Sequence, residues 1–144
     1  MIEKMKALVK EKDVCVMATV SGGKPHCSLM AYVTDDDCSE IYMITHKHTK
    51  KYENLTENPS VSLLIDTREE HLGSRRPGAK ALTVNGRYHR MDSEERKTLF
   101  RAKMLERHPH MRAFINHPDA ELLSIKIASF LLLDGLEDAY FETI

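Results

Sequence analysis

Residues 14–33 read VCVMATVSGGKPHCSLMAYV, two apolar runs rich in β-branched residues joined by Ser21-Gly-Gly-Lys24. Paired glycines between strand-like runs mark a β-hairpin, because the tight turns that match strand twist need positive φ at their centre. In the second run His26, Ser28, Met30 and Tyr32 share one face, and Cys27, Leu29, Ala31 and Val33 share the other. One face is available to a core and the other to a site.

Before the hairpin, Ile2, Met5, Leu8 and Val9 recur at helical spacing opposite Glu3, Lys4, Lys6 and Lys10, which predicts a short amphipathic helix over 2–12 that lids one end of a barrel. After it, TDDDCSE reads as a turn and IYMIT as a third strand. A short helix follows with Tyr52 and Leu55 on its apolar edge, stopped by Asn58-Pro59. VSLLIDT is a fourth strand, and REEHLGSRRPGAK (68–80) has the composition of an exposed loop.

ALTVNGRYHRM resumes as a strand with Gly86 as a candidate bulge. Asp92-Ser-Glu-Glu95 has the spacing of a helix start, with Leu99, Phe100, Ala102, Met104 and Leu105 as the apolar side of a helix that ends near His108-Pro109. Met111, Phe114 and Ile115 form a further helical turn, LLSIKIASFLLLD is a long strand apolar on both faces, and AYFETI is the last strand. Six or seven strands without βαβ alternation predict a mainly β fold with added helices, an antiparallel barrel formed as one domain over 1–144.

The formal net charge is -1, from 21 basic and 22 acidic residues. That balance supplies no global field for nucleic acid or anionic lipid, so any anion site must be local. The N-terminus lacks the continuous apolar stretch of a secretory signal and no segment is long enough to span a bilayer, so a cytoplasmic protein is expected. Cys15, Cys27 and Cys38 are odd in number and show no CxxC spacing, which reads as free structural thiols.

Residues 45–51, THKHTKK, carry the densest chemistry. His46 and His48, with His108 and His110 at the same spacing, suggest a metal. Three lysines and no carboxylate in the cluster weigh against a cation, and no metal is assigned. A strand end turning into a helix offers free N–H groups and a positive dipole end, to which Thr45, Thr49, Lys50 and Lys51 add hydroxyl and ammonium groups suited to a phosphate. A basic helix start with no ligand is the competing reading, although cations there oppose the dipole. There is no P-loop, no GxGxxG and no GxSxG, and no catalytic residue is identifiable.

The order of ATVSGGKPHCSLMAYV, EIYMITHKHTKKYENLTENPSVSLLI and ALTVNGRY resembles the FMN-binding split-barrel family related to pyridoxamine 5'-phosphate oxidase. Its most specific element is Thr45, Thr49, Lys50, Lys51, Asn54-Leu55 and Asn58-Pro59 in that order. The resemblance implies a split barrel that binds FMN, with the phosphate on Thr45, Thr49, Lys50 and Lys51 and the ring along Ser28, Leu29 and Met30, with His26 nearby. It also implies a homodimer with flavin at the interface, where Lys80 or the Arg75-Arg76 loop reaches the partner's cofactor. The vitamin B6 oxidases carry an arginine where Ser28 stands, a glutamine near Ala81 and a C-terminal motif rich in Arg and Trp, whereas this chain has no tryptophan. The implied function is therefore a flavin-dependent oxidoreductase of unknown substrate. A non-catalytic flavin or haem carrier is the alternative, and some relatives take the deazaflavin F420.

Overall fold

Gly22 and Gly23 adopt φ of 59° and 75° and close the expected hairpin. Strand β1 (Val14–Ser21) pairs with β2 (Lys24–Ala31) in an unbroken antiparallel register from Val14↔Ala31 to Ser21↔Lys24. The computed structural model describes all residues from Met1 to Ile144.

Strand β2 ends at Ala31, two residues short of the run read from sequence. The Tyr32 amide donates to Asp13 O, and the buried phenol donates to Val9 O at 2.6 Å, beneath helix α1 (Ile2–Glu11). The chain turns at this corner, and Val33–Thr34 becomes a separate short strand, β3. It pairs with β4 (Glu40–His46), so the sheet has eight strands rather than six or seven.

Helix α2 (Lys50–Glu57) joins β4 to β5 (Ser60–Asp66), and β6 (Lys80–Arg90) follows the basic loop, which contains two 3-10 turns. Gly86 sits at a register shift in β6, where a Cβ would lie 2.7 Å from the carbonyl oxygen of Lys126. The bulge thus needs glycine for close backbone approach. Helices α3 (Glu94–Arg107) and α4 (Arg112–Ile115) precede β7 (Ala120–Asp134) and β8 (Asp138–Thr143). Strand order is β2-β1-β5-β6-β7-β4-β3, all antiparallel, with β8 on β7.

The sheet curls into a split barrel. Met5, Leu8 and Val9 of α1 join Met17, Met43, Leu63, Val84, Ile125 and Phe130 in one interior cluster, as the helical spacing predicted. Leu55 of α2 enters the same cluster. A second cluster lies on the opposite face of β4 and β7, where Phe100, Met104 and Ile115 cover Tyr42, Ile44 and Leu122. Leu99 and Ala102, expected on that buried side, are exposed, because α3 turns only its Phe100–Met104 edge to the sheet. No helix is long and apolar enough to cross a membrane.

The remaining outer face has no helix on it. Leu29, Val16, Leu64, Thr83, Leu131 and Phe141 line up in register across β2, β1, β5, β6, β7 and β8. Leu29 is 76% exposed and Phe141 61%. A shallow cleft of about 400 Å³ opens beside this row between Val20, Ser60, Ser62 and Asn85.

Candidate anion and ring site at the barrel split

Thr45 is the last inward residue of β4 and is fully buried, with its hydroxyl 3.3 Å from that of Thr49. Thr49 is the N-cap of α2. Its hydroxyl donates to His46 O at 2.9 Å and accepts from Tyr52 N at 3.3 Å, and Glu53 N bonds Thr49 O. The first-turn N–H groups of Lys50 and Lys51 remain as the free donors of the helix. Neither lysine has a carboxylate within ion-pair distance, whereas Lys47 is paired with Glu121 at 3.4 Å. Two unpaired ammonium groups at the positive end of a helix are unfavourable alone and favourable around an anion.

Strand β2 is an edge, paired only to β1, so alternate backbone N–H and C=O groups along it have no partner in the sheet. His26 and Ser28 are half-buried on the inner face, Leu29 projects from the outer face, and Met30 is buried in the core. A role for Met30 at a ligand therefore falls to its backbone. His26 stands opposite Thr19, and the Thr19 hydroxyl accepts from Asn54 Nδ2 of α2 at 3.1 Å. That contact ties the helix to β1, the strand on which the edge strand is paired.

Eight of the nine residues expected at the site thus lie on β2, the end of β4 and the start of α2. Lys80 does not. It pairs with Asp134 at the opposite end of the sheet and borders a cleft with Lys4 and Leu8 of α1. The Arg75-Arg76 turn is at that same end, where Ala79 N bonds Arg76 O and Gly135 N bonds Ala79 O.

The histidines of THKHTKK have separate uses. His46 is stacked between Phe114, at 4.0 Å, and His117, at 4.5 Å, and its Nε2 is 3.1 Å from Phe114 O. His117 Nδ1 accepts from Asp119 N, and Lys47 N bonds Asp119 O, so α4 and the turn after it brace the end of β4. His108 is buried with Nε2 3.0 Å from Tyr32 O. Sequence reasoning missed this stack and the Asn54–Thr19 pair. The signal for the second was present, an amide on the apolar edge between Tyr52 and Leu55.

A profile of the family described as Pyridoxamine 5'-phosphate oxidase matches residues 1–134. No curated protein matches the sequence. Among solved structures, a haem-binding protein from Mycobacterium smegmatis superposes with a TM-score of 0.85 at 18% identity, over 98% of this chain and 57% of that one. A FAD-binding protein from Mesorhizobium loti gives 0.74 at 20% identity, over 92% and 93% of the two chains. The haem storage protein HutZ from Vibrio cholerae gives 0.69 at 20% identity, over 96% and 90%. At these identities the likeness is one of fold.

Proposed function

Because the chain belongs to the pyridoxamine 5'-phosphate oxidase family, we propose that it is a cytoplasmic flavoprotein that binds FMN between two copies of itself and acts as an oxidoreductase. The observation that carries this reading is the convergence of Thr45, Thr49, Lys50 and Lys51 at the start of α2, beside the free edge of β2. That donor set suits a phosphate monoester dianion, with two unpaired ammonium groups, a threonine cap and two free backbone donors.

In this reading Lys50 and Lys51 offset the phosphate charge. Thr49 shapes the first turn so that its N–H groups face the anion. The alternate backbone groups left free along Ser28, Leu29 and Met30 offer donors and acceptors to the polar edge of a planar ring, and His26 flanks it. The bound flavin supplies the electron transfer itself, while the protein orients it and sets its electrostatic surroundings. The bare outer face, with its apolar row from Leu29 to Phe141, supports pairing with a second copy. Lys80 and Arg75-Arg76, remote from the chain's own α2, are then candidates to act on the partner's cofactor.

An absorption spectrum of the purified protein tests the assignment. Flavin bands are expected, and the Lys50→Ala, Lys51→Ala double variant should release the chromophore. Colourless protein that ignores added FMN would sink the reading. A second reading, flavin or haem storage without turnover, draws support from the fold shared with two haem proteins and from the half-buried His26 on the edge strand. A Soret band would favour haem. Anaerobic bleaching of bound flavin by NADH or NADPH would favour a reductase over a carrier.

A further inference from the structure

The two parts of the proposed site sit on different elements, the phosphate donors on α2 and the ring edge on β2. One buried side-chain hydrogen bond, Asn54 Nδ2 to Thr19 Oγ1 at 3.1 Å, ties α2 to β1 at the residue that pairs with His26 of β2, so the two parts are linked through β1. The other link between α2 and the hairpin, Ser21 to Glu57, is exposed. Asn54 lies one helical turn beyond Lys50 and Lys51, so its anchorage sets both the rotation and the axial position of the first turn.

Asn54 is 1% exposed, and its Oδ1 has no hydrogen-bond partner. A buried amide with an unpaired oxygen is a poor choice for stability at a position where leucine of similar size would pack beside Leu55. Such groups persist where placement matters more than stability.

We propose that Asn54 is a positioning residue, which through Thr19 holds the anion-binding end of α2 in register with the ring-binding edge of β2. The inference rests on the FMN reading for the identity of the ligand. Its effect falls on the phosphate part of the ligand alone, because ring contacts with β2 do not pass through α2.

The test compares FMN with riboflavin, which has the same ring and no phosphate, in wild type, Asn54→Leu, Thr19→Val and the double variant. Asn54→Leu should raise the Kd for FMN about tenfold, the scale of one buried hydrogen bond, while the Kd for riboflavin and the Tm stay level or the Tm rises. Thr19→Val should reproduce the shift, and the double variant should be no worse than either single one, the mark of a shared interaction. Equal weakening of FMN and riboflavin, or no weakening, would overturn the proposal.

Inorganic phosphate separates this inference from the FMN reading. If wild type ignores FMN, yet phosphate moves the amide resonances of Lys50 and Lys51 and moves them less in Asn54→Leu, the FMN reading fails and the role of Asn54 stands. If phosphate moves nothing in wild type, both fail.

Discussion

Arg107, at the end of α3, caps α1 across 95 residues of sequence, with Nη2 2.7 Å from the carbonyl oxygen of Lys12. The same nitrogen reaches Lys10 O at 3.0 Å and Glu11 O at 3.3 Å. A helix leaves its last carbonyls without intrahelical partners, and a cation there is also attracted to the negative end of the dipole. Arg107→Ala should therefore cost about 1.5 kcal/mol of unfolding free energy. Arg107→Lys should recover only part of it, because one ammonium cannot match the span of the guanidinium. Urea denaturation of the two variants measures the difference.

Acid should loosen the turn before β4. Burial raises the Asp35 pKa, but hydrogen bonds from the Ser39 hydroxyl and from the Glu40 and Ser39 amides outweigh it and leave the carboxyl below its ordinary value. A group depressed in the folded state stabilises fully above its unfolded pKa of about 4, and the contribution is lost as pH falls through the lower folded value. Wild type should lose Tm more steeply than Asp35→Asn below about pH 4. Parallel curves for the two proteins would refute the assignment.

Thiol reactivity should divide the three cysteines. Burial pushes Cys15 up to about 12 and Cys38 up to about 11, whereas Cys27 is exposed on the outer face of β2. Thiolate is the reactive form. Not more than one thiol should react with a disulfide reagent at pH 8 in the native protein, and all three should react in denaturant. Mass spectrometry of the labelled chain identifies the site.

A charge on the bare face should separate the proposed dimer. Leu131 is half-buried in the middle of the apolar row, flanked by Thr83 and Phe141. Leu131→Glu would place a carboxylate in an apolar contact, where desolvation has no compensating partner. Sedimentation should show a monomer with weakened FMN binding and an intact circular dichroism spectrum. Persistence of a dimer would move the interface to another face.

Much of this architecture was legible from hydrophobic period and turn chemistry. The Gly22-Gly23 hairpin, the α1 lid and the Gly86 bulge each follow from a local rule that tertiary packing leaves unopposed. The break at Tyr32 was not legible, because the strand ends there for a reason 19 residues away, the hydrogen bond to Asp13. Leu99 misled for a related reason. Helical spacing gives a stripe, but only the neighbour chosen by the fold decides which edge of the stripe is covered.

At the candidate site, Thr45, Thr49, Lys50 and Lys51 were readable as a group because the signal is contiguous. The bond from Asn54 to Thr19 joins residues 35 positions apart, and the stack of His46 on Phe114 joins residues 68 apart. No local pattern encodes either pairing.

The place of β7 in the sheet has a consequence for synthesis. Until residues 120–134 leave the ribosome, β4 has only the two residues of β3 to pair with, and β6 has one bare edge. A nascent chain stopped before Ala120 holds the β3-β4 pair and a four-stranded ribbon, β2-β1-β5-β6, but cannot close its barrel. Closure of this barrel thus waits on the emergence of its seventh strand.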